Sequence, residues 1–157
     1  MISSEKKKLE RKVFKILREN SSYIDRKNVD INVKLYLQSF LKKDIKSKYV
    51  GIYWPLKNEV DIRSLREKYS LALPKCEKNN KLIFCSWDEK PLIKDSQGIP
   101  APDSSNILSF KQISIIFIPC LSVDKNLIRL GYGGGYFDKL REDRNWRAIP
   151  CIGLLTS

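Results

Sequence analysis

The stretch RLGYGGGYFDKL, residues 129–140, holds four of the chain's seven glycines within five positions. Glycine permits positive φ angles and a close approach of ligand to backbone, and successive free N–H groups form a cradle for an anion. Arg129 can contribute a charged fork to a phosphate, and Asp138 can hold Mg²⁺ through oxygen. The spacing matches neither a Walker A loop nor G-x-G-x-x-G, so a plain flexible turn is the alternative to an anion site.

Three aromatic residues are interleaved with these glycines or follow them: Tyr132, Tyr136 and Phe137. A mere linker would not need aromatic side chains, which favours a binding loop. Packing of a short following helix against the core is the alternative for Tyr136 and Phe137, and for Phe137 it is the preferred interpretation.

The sequence contains no histidine. This excludes Ser-His-Asp and Cys-His catalysis and any imidazole base. Chemistry would have to use carboxylates, Lys, Arg, Tyr, backbone amides or a bound cation. The four cysteines, Cys76, Cys85, Cys120 and Cys151, are scattered without a C-x-x-C pair, so we expect no cysteine metal site.

The net charge of +12, from 30 basic and 18 acidic residues, favours anionic partners. Nucleic acid, anionic lipid and nucleotides all qualify, and a Lys-rich compositional bias would produce the same charge without any function. No apolar run approaches the roughly 18 residues of a membrane helix. The N-terminus lacks the apolar region of a secretory signal. We therefore expect a cytoplasmic protein.

Two helices are predicted at the start of the chain. Residues 5–19 form the first, with a Lys and Arg face opposite an apolar stripe of Leu9, Val13, Ile16 and Leu17. The second has Asn28 or Asp30 as its cap. Its apolar stripe comprises Val29, Val33, Leu37, Phe40 and Leu41.

Apolar runs that alternate with helical segments predict one α/β domain over 1–157 with a mostly parallel sheet. The predicted strands are 49–55, 71–74, 81–87, 113–121 and 148–155. Helices are predicted over 61–69, capped by Asp61, and over 136–143, and a long surface loop over 88–112. Ligands bind beyond the carboxyl ends of the strands of such sheets, and the glycine cluster follows 113–121 closely.

The segment IPCLSVDKNLIRLGYGGGYFDKL resembles the signature of the 5-formyltetrahydrofolate cyclo-ligase (methenyltetrahydrofolate synthetase) family. That signature is an apolar strand ending in Pro, then Asp-Lys, a short turn and Arg-Leu-Gly-x-Gly-x-Gly-Tyr-Tyr/Phe-Asp, which residues 118–138 follow. Other landmarks are a Lys-x-x-Leu-Arg helix, matched by 7–11 with Leu displaced by one, Glu59 in YWPLKNEVDI, LALP, and GIPAP with Ala101 where the family often has Glu. The resemblance covers essentially the whole chain.

The resemblance implies a Rossmann-like sheet flanked by helices, of the NagB, RpiA and CoA transferase type. It implies conversion of 5-formyltetrahydrofolate and ATP to 5,10-methenyltetrahydrofolate, ADP and phosphate, with Mg²⁺. It also implies a monomer that has no nucleic-acid or membrane partner.

The family's functional residues map onto this sequence by position. For ATP they are Lys7, Lys8, Leu9, Glu10, Arg11, Arg129, Leu130, Gly131, Tyr132, Gly133, Gly134, Gly135, Tyr136 and Phe137. For the folate they are Trp54, Glu59, Tyr132 and Tyr136. Arg129 and Tyr136 are the implied catalytic residues, and Asp138 is the implied Mg²⁺ ligand.

Several of these residues have structural alternatives. Lys7 and Arg11 could belong to a solvated basic face, Glu59 to a turn, and Trp54 to the core. Asp138 could be a first-turn carboxylate favourable to the helix dipole.

Family members continue by a few dozen residues beyond the last strand, whereas this sequence stops at Ser157. We therefore expect a C-terminally short domain, and an inactive remnant of the enzyme is one alternative function. A basic nucleic-acid-binding protein is the other.

Overall fold

The computed structural model describes residues 4–40, 48–88 and 90–156. The helices are α1 (Ser4–Glu19), α2 (Tyr23–Phe40), α3 (Tyr136–Leu140) and α4 (Arg144–Ala148). The strands are β1 (Tyr49–Gly51), β2 (Leu71–Cys76), β3 (Leu82–Ser86), β4 (Ile93–Lys94), β5 (Pro100–Ala101), β6 (Ile107–Leu108), β7 (Ile113–Pro119), β8 (Ser122–Val123), β9 (Arg129–Leu130) and β10 (Cys151–Leu154).

A six-stranded sheet organises the molecule, in the order β10-β7-β1-β2-β3-β6. The pairs of β1 with β2, β1 with β7, and β7 with β10 are parallel. The pairs of β2 with β3 and β3 with β6 are antiparallel. The prediction of an α/β fold with a mostly parallel sheet is confirmed, with an antiparallel end contributed by β3 and β6.

The core lies on both faces of this sheet because alternate residues of each strand point to opposite sides. In β7, Ile115 and Phe117 join a cluster with Val33 and Leu37 of α2. Ile116 and Ile118 join a second cluster, against which α3 and α4 pack. The β-branched run of β7, buried on both sides, is the interior strand that its composition predicted.

Helix α1 forms where predicted, but none of its described residues is buried. The apolar stripe of Leu9, Val13, Ile16 and Leu17 is exposed, by 48 to 63%. Arg11 and Arg18 donate hydrogen bonds to the rest of the chain, and Lys15 and Arg18 lie over the Tyr132 ring. Basic residues that sequence patterning assigns to solvent therefore make contacts that help to hold the helix in place.

Helix α2 begins earlier than predicted, at Tyr23 rather than beside Asn28 or Asp30. Ser22 and Asp25 exchange hydrogen bonds across the helix start: the Asp25 N–H donates to Ser22 Oγ at 3.0 Å, and the Ser22 N–H donates to Asp25 Oδ2 at 3.1 Å. Asp30 lies inside the helix, buried between Lys27 and Lys34. The predicted stripe residue Leu41 lies outside the described residues.

The long surface loop predicted over 88–112 contains regular elements that the prediction missed. The segment contains the short pair of β4 with β5, strand β6, and 3₁₀ turns at Ser104–Asn106 and Phe110–Gln112. These elements are too short to produce a hydrophobic period, so the sequence pattern misses them.

Three other segments also differ from prediction. The expected helix over 61–69 is a 3₁₀ helix, Arg63–Glu67, with Ile62 rather than Asp61 at its N-cap position. The strand predicted over 49–55 pairs only as Tyr49–Gly51. Helix α4 was not predicted. The Asp143 side chain caps its start by accepting hydrogen bonds from the Asn145 and Trp146 N–H groups. Among the described residues no helix combines the length and apolar character needed to cross a bilayer.

Candidate active site

A cavity of about 1210 Å³ opens at the carboxyl ends of the parallel strands. Residues that follow β1, β7 and β10 line it, because the parallel strands deliver their ends to one edge of the sheet. The glycine loop and α1 close its other sides. This is where the order of strands and glycines predicted a ligand site.

The glycine loop joins β9 to α3 with backbone that ordinary residues rarely adopt. Gly133 has φ +106° and Gly135, the N-cap of α3, has φ +69°. The Arg11 side chain of α1 donates through Nε to the Gly131 carbonyl at 3.0 Å. A Cβ at Gly133 would lie 3.5 Å from the Arg11 guanidinium carbon. The Arg11 guanidinium therefore lies in contact with the glycine loop.

Arg129 and Asp138 lie together at the edge of this loop. Arg129 Nη2 donates to Asp138 Oδ1 at 2.9 Å, and Arg129 Nη1 donates to the Pro119 carbonyl at 3.3 Å. The Asp138 side chain is 74% exposed, whereas that of Arg129 is 14% exposed. The predicted phosphate-binding cation and the predicted metal ligand are thus neighbours and paired with each other.

Glu59 is a buried carboxylate at another part of the cavity wall. Its Oε2 accepts from the Leu56 N–H at 2.7 Å, and its Oε1 lies 3.4 Å from Nη1 of Arg18. Burial raises the pKa of the Glu59 carboxyl, while the Leu56 N–H and the charge of Arg18 act against that rise. A buried carboxylate that keeps acceptor capacity inside a cavity suits a ligand with N–H donors.

The predicted aromatic residues all line the cavity. The Trp54 ring meets the Trp87 ring edge-on at 6.1 Å between centroids and lies 4.4 Å from the Arg63 guanidinium. Tyr136 and Phe137 also pack against the second core cluster, as the structural alternative expected. The Arg18 guanidinium lies over the Tyr132 ring, 4.9 Å from the ring centroid.

The predicted nucleotide-binding stretch of α1 divides by helix face. Lys7, Glu10 and Arg11 line the cavity. Lys8 and Leu9 do not belong to the lining, and Leu9 is 63% exposed. Positions 8 and 9 point away because successive helical residues are about 100° apart around the axis.

Sequence reasoning missed Arg18, which also lines the cavity. The available signal was its spacing: Arg18 follows Arg11 by seven residues, or two helical turns, and so lies on the same face. Its Nε and the Tyr132 hydroxyl are buried atoms for which the structure gives no hydrogen-bond partner.

Magnesium ordinarily takes one or two protein carboxylates and completes its shell with water and phosphate oxygens. The exposed Asp138 carboxylate beside the glycine loop is suited to such a role, and its Oδ1 also accepts a hydrogen bond from Arg129. Within 4–40, 48–88 and 90–156 there is no cluster of three or more His, Cys, Asp or Glu side chains that could hold a metal ion without a ligand's help. The cysteines Cys76, Cys85, Cys120 and Cys151 are free thiols.

Known proteins resemble this chain in both sequence and fold. A profile of the 5-formyltetrahydrofolate cyclo-ligase family matches residues 3–156. A 5-formyltetrahydrofolate cyclo-ligase of Haemophilus influenzae is 24% identical over 69% of this chain, and the alignment spans 63% of that protein's length. One from Mycoplasma pneumoniae is 26% identical over 87% of this chain and 76% of its own length.

Solved structures agree. The NMR structure of Aquifex aeolicus 5,10-methenyltetrahydrofolate synthetase superposes with a TM-score of 0.70 at 27% identity, covering 94% of this chain and 76% of that one. The 5,10-methenyltetrahydrofolate synthetase of Mycoplasma pneumoniae superposes with a TM-score of 0.68 at 26% identity, covering 94% of this chain and 83% of that one. With the family profile spanning nearly every residue, the chain belongs to the 5-formyltetrahydrofolate cyclo-ligase family.

Proposed function

We propose that this chain cyclises 5-formyltetrahydrofolate to 5,10-methenyltetrahydrofolate with ATP, releasing ADP and phosphate. The observation that carries the proposal is one cavity with two chemically different ends. At one end a glycine loop with positive φ angles lies beside Arg11 and Arg129. At the other, the buried carboxylate of Glu59 faces the same space. An anion cradle beside an acceptor for N–H groups suits a nucleotide and a pterin held side by side.

The reaction needs neither an imidazole base nor a covalent enzyme intermediate. Transfer of the γ-phosphoryl group to the formyl oxygen turns a poor leaving group into a good one. N10 then attacks the formyl carbon and loses its proton, the carbon–oxygen bond breaks, and phosphate leaves. Positioning and neutralisation of charge supply the catalysis in such transfers.

The nucleotide end would use cations and backbone N–H groups. The N–H groups of 131–135 would hold the phosphates, with Lys7 and Arg11 of α1 neutralising them. Arg129 would act as a catalytic cation on the transferred phosphoryl group, since a guanidinium offers two donors in a fixed fork.

The folate end would use Glu59 and Trp54. The amino and ring N–H groups of the pterin form a donor edge that the Glu59 carboxylate can accept, and Trp54 would form an apolar wall. Tyr132 and Tyr136, on the glycine loop and at the start of α3, would line the junction where the formyl oxygen meets the γ-phosphate.

We also propose that Mg²⁺ binds together with ATP. Asp138 would hold it through the carboxylate oxygen that does not face Arg129, and the ion would neutralise charge on the phosphates. We further propose that the chain works as a monomer in the cytoplasm, on small molecules and without nucleic acid.

The direct test mixes the purified chain with 5-formyltetrahydrofolate, Mg²⁺ and ATP and follows the near-ultraviolet absorbance of the methenyl product. We expect product formation that requires all three components and yields one ADP per product. A folded chain that binds both substrates without turnover would instead favour the inactive-remnant alternative.

A further inference from the structure

Helix α1 presents two arginines to the cavity, two turns apart, and they contact different ends of it. Arg11 donates to the glycine loop at Gly131. Arg18 reaches Glu59, with 3.4 Å between Nη1 and Oε1. The Arg18 side chain is 16% exposed and that of Glu59 is 3% exposed, so the pair is largely withdrawn from water. Charge pairs in such surroundings interact more strongly than exposed ones.

The Arg18 guanidinium is held by a second contact that is independent of Glu59. It lies over the ring of Tyr132 in the glycine loop, 4.9 Å from the ring centroid. Arginine stacks on aromatic faces while keeping its planar donors in a fixed direction. The Arg18 side chain therefore contacts both Glu59 and the glycine loop.

The buried Arg18 Nε and Tyr132 Oη atoms lack hydrogen-bond partners in the structure. Buried polar atoms are rarely left unpaired, so each exception calls for an explanation. Both atoms lie beside Glu59 and the glycine loop, so the part of the cavity wall that holds Arg18 has polar groups left over for a ligand.

The other groups around Glu59 do not supply this charge. Tyr53 approaches from the segment after β1, and burial raises the pKa of its hydroxyl far above the neutral range. Cys120, after β7, shares a small pocket with Glu59, and burial raises the pKa of its thiol to about 11. Both stay neutral where Glu59 titrates. The charge of Arg18 lowers the pKa of Glu59, against the effect of burial.

We propose that Arg18 is a positioning residue: stacked on Tyr132, it holds the Glu59 carboxylate charged and oriented for the donor edge of the pterin. The inference rests on the proposed function, since it assigns Glu59 to the folate. It adds a residue outside the glycine signature and outside the Lys7–Arg11 stretch. It also links the folate end of the cavity to the nucleotide loop through one side chain.

The test compares Arg18→Gln and Arg18→Lys with Lys12→Gln, which removes the same charge from an exposed position on the same helix. Calorimetry measures the Kd of 5-formyltetrahydrofolate from pH 5 to 8. We expect Lys12→Gln to match the original chain. In Arg18→Gln, affinity at pH 7 should fall roughly tenfold, the scale of a lost charge-assisted hydrogen bond. The pH below which folate affinity falls should also rise, because Glu59 is then protonated more readily.

Carbon NMR of labelled glutamate in the unliganded chain gives a readout that does not need folate. Arg18→Gln should raise the pKa of Glu59, while Lys12→Gln leaves it unchanged. If the original chain binds no folate, the proposed function fails, yet the NMR titration still decides whether Arg18 controls Glu59. A folded Arg18→Gln with the original Glu59 pKa and the original folate affinity would overturn the inference.

Should Arg18→Gln not fold, Arg18→Lys carries the test. Its ammonium keeps the charge but not the planar fork that stacks on Tyr132. The pKa of Glu59 should then stay close to the original while folate affinity falls several-fold. Original affinity in this variant would show that the orientation of Glu59 does not depend on Arg18.

Discussion

At the scale of single residues, Glu59 combines burial with a proposed contact to the ligand. Glu59 is buried with one backbone N–H donor and one arginine. Burying a carboxylate disfavours its charged form, which raises its pKa. Since a raised pKa means that the folded state binds this proton more tightly than the unfolded state, ionised Glu59 opposes folding at neutral pH. Perturbed pKa values of this kind cluster at functional sites, which agrees with the proposed contact between Glu59 and the folate.

Replacing Glu59 by Gln should therefore change the pH dependence of stability. In the original chain the contribution of Glu59 is most favourable below its unfolded pKa and is lost as pH rises through the raised folded pKa. Glu59→Gln should flatten this decline with pH, while folate binding is lost. Urea denaturation at several pH values measures the free energy of unfolding. An equally steep decline of this free energy with pH in the variant would refute the reasoning.

The ion pair between Arg129 and Asp138 gives a second prediction at this scale. Because Asp138 is largely exposed, Asp138→Asn should alter the free energy of unfolding by less than about 1 kcal/mol. Turnover should nevertheless fall, with a higher Mg²⁺ concentration needed for half-maximal rate. A magnesium titration of the rate checks this, and Asp124→Asn, whose carboxylate accepts N–H bonds within its own turn, is a comparison variant. An unchanged magnesium requirement in Asp138→Asn would remove Asp138 from the metal site.

Secondary-structure elements position these side chains in ways that their own sequences only partly reveal. The β-branched run of β7 is long enough to be predicted and places the following loop at the cavity. Helix α1 has a clear 3.6-residue period, yet its apolar stripe lies exposed and its arginines face the protein. A hydrophobic period predicts that a helix forms, but the partner surface decides which face is used.

The glycine loop allows a test with a matched control. Gly133→Val should abolish nucleotide binding, because a branched residue is incompatible with φ +106° and its side chain would lie beside Arg11, where the phosphates are proposed to bind. Gly98→Val is the control: Gly98 also has positive φ, at +75°, and a Cβ there would meet nothing within 4 Å. We expect both variants to lose on the order of 1–3 kcal/mol of stability through backbone strain. Only Gly133→Val should lose nucleotide affinity, and equal affinities would exclude the loop as the phosphate site.

At the scale of the whole molecule, the net charge of +12 attracts anions in general and does not select one kind of anion. Within the described residues, cations from distant parts of the chain meet at the cavity, notably Lys7, Arg11, Arg18 and Arg129. Such a convergence favours the proposed small polyanion as ligand over the extended basic surface expected of a nucleic-acid-binding protein.

Binding to a random oligonucleotide distinguishes the two possibilities. We expect ATP to bind in 0.15 M salt, while the oligonucleotide binds only non-specifically, with a Kd no tighter than about 10⁻⁶ M. Fluorescence anisotropy across a salt series measures both. Tight oligonucleotide binding with a steep salt slope, and no binding of ATP, would overturn the proposed enzyme in favour of the nucleic-acid alternative.

The amino-acid sequence by itself determined the α/β class, the interior strand β7, the glycine loop and the family. These depend on local patterns: a long apolar run, a dense glycine cluster and a fixed order of residues around it. The short strands β4, β5 and β6, the antiparallel end of the sheet and the start of α2 were missed or misplaced. They depend on pairing partners and on a cap only a few residues long.

Only the tertiary structure decided how the site is put together. Arg18 is 41 residues from Glu59 in the chain and 114 from Tyr132, yet its guanidinium contacts both. Asp138 and Arg129 looked like independent ligands in sequence and are a pair in space. Nothing local to any of these residues specifies those contacts, because they arise where α1 crosses the carboxyl edge of the sheet. Residue types set the available chemistry, and the packing of distant segments set which groups act together.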